Sequence, residues 1–441
     1  IDSFDYAICQ SHLDTITSHD IKIRRSSRWL NAVSVYKPKG YNLRRLLEYD
    51  FISMYSLVKR LTYKKEIELI ETEFESTKKP SFLSCGPSFY QIDMLGGVDL
   101  HNQGYLGDGI TIAVFDAGFT SVNTLPIFDS LWLHNRISNC YDFVDNNSFV
   151  FHSSTHGTMV LSTMGGFMKD SLIGTAPHAT YMLFRTEETG SETIVEEDNW
   201  VAAAEYADSL GVHIITSSLG YKMYDDSLDS HSYADMDGNT TIITKAADLA
   251  ASRGILVINS AGNSGNNNWH YIGAPADGDS VLAIGAVDHQ GNSASFSSRG
   301  PSFDGRVKPN VCALGRDAVV ASPYYSGITY AMGTSFSSPI IAGLAACLWQ
   351  YNIGANNMEI FSLIEQSAHL FSSPNDSLGF GIPNFSNIIN PSLISLPINE
   401  NFNRRLIYVS DFSGRRIKEK KNQPLFYIYD DGTVEKKLII E

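Results

Sequence analysis

The chain has 441 residues, 43% hydrophobic and 18% charged, with 33 Lys plus Arg against 48 Asp plus Glu and a formal charge of −15. That length suits two or three domains with a sizeable core, and the absence of any apolar run of about 18 residues excludes a membrane-spanning helix. The charge is divided: residues 1–80 carry +3, residues 401–441 carry +3, and residues 81–400 carry −21, which leaves no basic stripe for nucleic acid.

The N-terminal 80 residues read as a small α+β unit. Ile21 to Arg24 and Trp29 to Tyr36 suggest two strands with a tight connection. Leu43, Leu46 and Leu47 follow at helical spacing, and Met54 to Leu61 suggests another strand. Lys64 to Pro80 is charged and weakly apolar, as a linker is. No signal peptide is recognisable at Ile1, and none is needed in a mature secreted chain.

The central region, residues 81–390, opens on Gly109-Ile110-Thr111-Ile112-Ala113-Val114-Phe115, a nearly continuous apolar run suited to a strand buried on both faces of a parallel sheet. Asp116 follows at its carboxyl end, where open α/β sheets place their ligands. His156-Gly157-Thr158 precedes an apolar stretch to Met164 that reads as a helix. Asn263 sits in Ser260-Ala261-Gly262-Asn263-Ser264-Gly265, a turn of small residues. Ser335 lies in Gly333-Thr334-Ser335-Phe336-Ser337-Ser338-Pro339, ahead of Ile340 to Trp349, which is apolar nearly all round and reads as a central buried helix. Pro339 is expected in that helix's first turn.

These four segments supply a carboxylate, an imidazole, an amide donor and a hydroxyl, which acyl transfer by an activated serine requires. Other chemistries fail on detail. The second glycine of a Gly-x-Ser-x-Gly elbow is replaced by Ser337, and Ser153 stands where a His-Glu-x-x-His zinc motif over His152 and His156 needs glutamate. No phosphate-binding loop is present.

With the order Asp116, His156, Ser335, the chain resembles the subtilisin-like serine peptidases. The resemblance implies a doubly wound parallel α/β sheet and a secreted or cell-surface endopeptidase acting on peptides or proteins, with no cofactor in the chemistry. Asp116, His156 and Ser335 would form the triad and Asn263 an oxyanion donor. Ser218, Leu219 and Gly220 match one wall of the first specificity pocket, and Ala261 and Gly262 the other. Ala117 departs from the Ser or Thr that is commoner in the family. Phe184 to Trp200 is similar to subtilases of Bacteroidota. The first 80 residues look like a pro-segment, the zymogen's own intramolecular inhibitor; an ordinary attached domain is the alternative. A catalytically silent binding protein on the same frame is the alternative for the whole chain.

Structural calcium is implied by the family without identified ligands, since Asp235, Asp237 and Asn239 lack the rest of an EF-hand pattern. Trp269, Tyr271 and Ile272 near the pocket imply a preference for apolar or aromatic residues before the scissile bond. The five cysteines form no motif, and a Cys85–Cys140 pairing stays open. In residues 391–441, Leu406 to Asp411, Leu425 to Tyr429 and Val434 to Ile440 read as strands. This tail resembles a shortened sorting domain of the type IX secretion system; a plain accessory β module reads nearly as well.

Overall fold

In the computed structural model, which describes residues 6–57, 85–390 and three strands beyond them, the chain begins with α1 (Gln10–Thr17) and an antiparallel hairpin of β1 (Lys22–Ser27) and β2 (Ala32–Tyr36). A 3-10 turn, Leu43–Glu48, follows, capped by the Asn42 side chain accepting the Arg44 N–H at 3.1 Å. Ile16, Ile21, Leu43 and Leu46 make its small core. The strand expected from Met54 is absent over residues 54–57, and its remainder lies outside the described residues, as does the 64–80 linker.

The central region runs through α2 (Phe89–Asp93), α3 (Gly97–Asn102), β3 (Thr111–Asp116), α4 (Asp129–Leu133), β4 (Ile137–Asp142) and α5 (His156–Gly165). Then come the short pair β5 (Phe167–Met168) and β6 (Leu172–Ile173), β7 (Thr180–Arg185), α6 (Val195–Ser209), β8 (Ile214–Ser217), α7 (Ile242–Ser252), β9 (Leu256–Ser260) and β10 (Val281–Val287). The antiparallel pair β12 (Ala318–Ala321) and β13 (Ile328–Ala331) follows β11 (Val311–Leu314), and α8 (Thr334–Tyr351), α9 (Asn357–Gln366) and α10 (Phe385–Ile389) close the region.

Seven of these strands form one parallel sheet in the order β11-β10-β9-β8-β3-β7-β4. Strand periodicity explains its two cores. Ile112 and Val114 point into one cluster with Met159 and Leu161 of α5 and Ile340 and Leu344 of α8. Ala113 and Phe115 point into the other, with Trp200 and Ala203 of α6 and Ile243 and Ala246 of α7. The sheet is therefore doubly wound, as expected. From β3 the chain fills one side with β4 and β7, then crosses to the other with β8 to β11. Asp116 ends the strand at which the winding reverses, where such sheets open a crevice.

The N-terminal hairpin lies against α6 with charge complementarity. Arg24 pairs with Asp198 at 3.5 Å and Arg28 with Asp208 at 3.3 Å. The Arg28 N–H donates to Glu205 at 3.3 Å. Trp29 is 2% exposed and joins the cluster that holds Phe143, Phe184 and Val201. No disulfide joins any of the five cysteines, and the Cys85–Cys140 bridge left open by the sequence is not formed. Residues 392–441 form a separate unit holding β14 (Leu406–Ser410), β15 (Pro424–Tyr429) and β16 (Val434–Leu438), an antiparallel sheet close to the expected boundaries.

Candidate active site

Asp116 and His156 meet where β3 ends and α5 begins. The Asp116 side chain is fully buried, and both its oxygens lie 2.9 Å from His156 Nδ1. The Ala117 N–H donates to Oδ1 at 2.7 Å, holding the carboxylate as an acceptor. The glycines here are required by contact. A Cβ on Gly118 would stand 2.1 Å from His152 O, and one on Gly157 would stand 2.5 Å from Gly118 O. The turn after the aspartate and the helix bearing the histidine thus pack backbone to backbone.

Ser335 is the second residue of α8 and is half-buried, between the buried Thr334 and Phe336. Its hydroxyl lies 3.5 Å from Ser218 O, and its carbonyl accepts the Ser218 hydroxyl at 2.8 Å. Pro339 is not in the first turn as expected; it is the sixth residue of the helix. A proline there has no N–H for the carbonyl four residues back, which is Ser335 O. Ser218 supplies the missing donor. Asn263 is exposed, but its Oδ1 accepts both the Thr334 N–H at 2.9 Å and the Thr334 hydroxyl at 3.0 Å. Fixing that oxygen fixes the amide nitrogen on the other side of the group.

The two wall segments are cross-linked beneath the surface. Asn259 Nδ2 donates to Leu219 O at 2.9 Å and to Ser260 O at 2.8 Å. Asn259 Oδ1 accepts the Ser217 hydroxyl, which in turn accepts the Trp200 indole N–H at 3.2 Å. Gly262 N–H donates to the Thr334 hydroxyl at 3.2 Å. Asn259 lies outside every motif of the sequence, whereas Thr334 stands inside the Ser335 segment and Trp200 ends the Phe184–Trp200 stretch, with nothing in the sequence to mark either as a support. Below Gly220, the Tyr221 hydroxyl donates to buried Glu187, and the Tyr224 hydroxyl to buried Glu197. Burial, with the charge of Glu187, pushes Glu196 up to about 10.

Ile272 is fully buried, and the Trp269 indole N–H is spent on Ile272 O at 2.9 Å. Tyr271 stacks on Tyr233 with ring centroids 3.9 Å apart.

Asp142, Asp145 and His152 bring metal-ligating atoms within 4.8 Å of one another and could hold an ion. The Arg185 guanidinium, however, already donates to Asp142 at 2.8 Å and Asp145 at 2.7 Å, and His152 Nε2 lies 3.3 Å from Asp142. An imidazole and a resident guanidinium fit calcium poorly, since it takes six to eight oxygens. Asp237, by contrast, accepts from Asn239 N–H at 2.8 Å and the Thr240 hydroxyl at 2.9 Å, which makes it a turn residue.

Comparison with known proteins agrees with this geometry. Residues 107–382 match the sequence model of the Subtilase family. An alkaline protease of Alkalihalobacillus alcalophilus is 28% identical over 312 residues, covering 70% of each chain. A thermophilic serine proteinase of Bacillus sp. strain AK1 is 31% identical over 284 residues, 64% of this chain and 62% of that one. Among solved structures, the prenylagaramide maturation protease PagA superposes with a TM-score of 0.52 at 25% identity, covering 67% of this chain and 97% of that one. MycP1 of the ESX-1 type VII secretion system superposes with a TM-score of 0.55 at 19% identity, covering 74% and 91%, a likeness of fold.

Proposed function

The chain belongs to the subtilase family and is a serine endopeptidase, and from that premise we propose that Asp116, His156 and Ser335 are its triad and Asn263 its oxyanion donor. The observation that carries this is the doubly held imidazole: His156 Nδ1 on both oxygens of a buried carboxylate. With Nδ1 so engaged, Nε2 is the nitrogen that takes the Ser335 proton as Oγ attacks the scissile carbonyl carbon. The negative charge that develops on the carbonyl oxygen meets Asn263 Nδ2 and the Ser335 N–H at the start of α8. The imidazolium then protonates the leaving amine, the acyl group stays on Ser335, and water repeats the cycle to release it.

Ser218, Leu219 and Gly220 would bind the substrate backbone along one wall, and Ala261 and Gly262 line the other. The inhibitory role of residues 1–80 is supported by their docking on α6 through Arg24, Arg28 and Trp29. Resemblance alone carries the Bacteroidota branch, secretion, and the reading of residues 391–441 as a shortened sorting module, to which a plain accessory β module is the alternative. Structural calcium is kept as an expectation without a site. The test is stoichiometric labelling by a fluorophosphonate, which reacts only with an activated serine. Native protein should be labelled, while Ser335→Ala should not be and should lose at least about 10⁴-fold in peptide hydrolysis. Hydrolysis undiminished in that variant would falsify the triad, and a folded native protein that resists labelling would favour the silent binding reading.

A further inference from the structure

The wall ending in Gly220 continues into Tyr221 and Lys222 on a backbone pinned from both sides. Tyr221 N–H donates to Ala274 O at 2.8 Å, and Ala274 N–H returns to Tyr221 O at 3.1 Å. His231 N–H donates to Lys222 O at 2.8 Å. From this fixed base the half-buried Lys222 side chain crosses to the opposite wall. Its Nζ donates to the Ser264 hydroxyl and stands 5.9 Å from the centroid of the Trp269 ring. Ser264 directly follows Asn263 and is 1% exposed, and its own N–H is held by the Ser298 hydroxyl at 3.0 Å. An ammonium two residues beyond Gly220 therefore reaches the chain two residues beyond Gly262, next to the amide proposed for the oxyanion.

We infer that Lys222 makes this pocket select an acidic side chain, Asp or Glu, at the residue before the scissile bond; this rests on the peptidase reading above. A carboxylate entering the pocket meets a cation whose water is already partly displaced, where charge-assisted hydrogen bonds are strong. The Ser264 hydroxyl accepts from Lys222 and can donate its own proton to the incoming carboxylate. The Trp269 face and the lysine's methylenes offer an apolar path for the methylenes of Glu. A basic side chain would face a like charge a few ångströms away. The −21 charge of residues 81–400 pulls the other way at long range, but salt screens that field while leaving a direct contact largely intact.

The experiment compares peptides that differ only in that residue, Glu against its neutral isostere Gln, and Lys against Met, on the full chain. The native enzyme should prefer Glu over Gln by about tenfold in kcat/KM. In Lys222→Met the Glu:Gln ratio should fall to one or below, Lys222→Arg should keep it, and Lys222→Glu should invert selectivity in favour of Lys. Each ratio is taken within one variant, so any loss of folded enzyme cancels. A native ratio of one or less, or a ratio unchanged in Lys222→Met, overturns the inference. Fluorophosphonate labelling run alongside separates the two levels. Labelled enzyme without the ratio sinks the Lys222 inference alone, and native protein that fails to label sinks the peptidase reading with it.

Discussion

Thr334 stands to Asn263 as Asp116 stands to His156: each takes up one side of a planar group and so determines where the other side points. Asn263→Ala should lower kcat far more than it raises KM, because the amide acts on charge that exists only in the transition state. The expected loss, about 10²–10³ in kcat, is the size found for such a donor in a subtilisin. Thr334→Val keeps the N–H but removes one of the two bonds on Oδ1 and the acceptor for Gly262 N–H. A loss of about fivefold in kcat is expected, on the scale of one hydrogen bond. An effect of either substitution confined to KM would argue against an oxyanion role. Away from the site, burial and then the charge of Asp279 raise Asp248 from 3.8 to about 7. The unfolded chain releases that proton first, so stability falls as pH rises from about 4 through 7. Asp248→Asn removes this dependence and keeps an acceptor for the Ser280 N–H, now bonded at 3.0 Å. Its melting temperature should exceed the parent's by about 2–4 °C at pH 8 and match it near pH 4, measured by calorimetry.

Elements that follow from local pattern were legible in the sequence. β3, α5 and α8 are apolar runs flanked by small or polar residues, and β2 is rich in β-branched and aromatic residues. Elements held by distant partners were not. α1 is mostly polar, with Ile16 as its one buried residue, so no apolar stripe marked it. Pro339 looked like a first-turn proline because the donor that excuses it, Ser218, is remote in sequence. Lys222 and Ser264 meet only because two segments far apart in the chain converge. The hairpin on α6 gives a prediction at this scale. Trp29→Ala in an isolated 1–80 segment should weaken its inhibition of the processed enzyme by about 100-fold or more, since truncating a buried Trp costs about 3–5 kcal/mol. Arg28→Glu should also weaken it, by an amount that shrinks with salt. Inhibition constants that ignore both changes would leave residues 1–80 as an ordinary attached domain.

For the whole chain, the fold's order of assembly bears on processing. If residues 1–80 are cut by the enzyme itself, active protein should carry a new N-terminus between Lys64 and Cys85, and Ser335→Ala expressed alone should keep the original one. N-terminal sequencing decides this, and identical termini would remove self-processing. The same topology has a consequence for the cell that makes it. Asp116 ends the first strand of the parallel sheet, while Ser335 opens a helix that the chain reaches only after all seven strands. Parallel sheets are built from long-range pairings and form slowly. A nascent chain on the ribosome therefore carries Asp116 and His156 before Ser335 exists, and in the proposed triad the serine is the last of the three to arrive. With Ser335 as the nucleophile proposed above, translation that stops short of α8 yields a fragment unable to digest its neighbours.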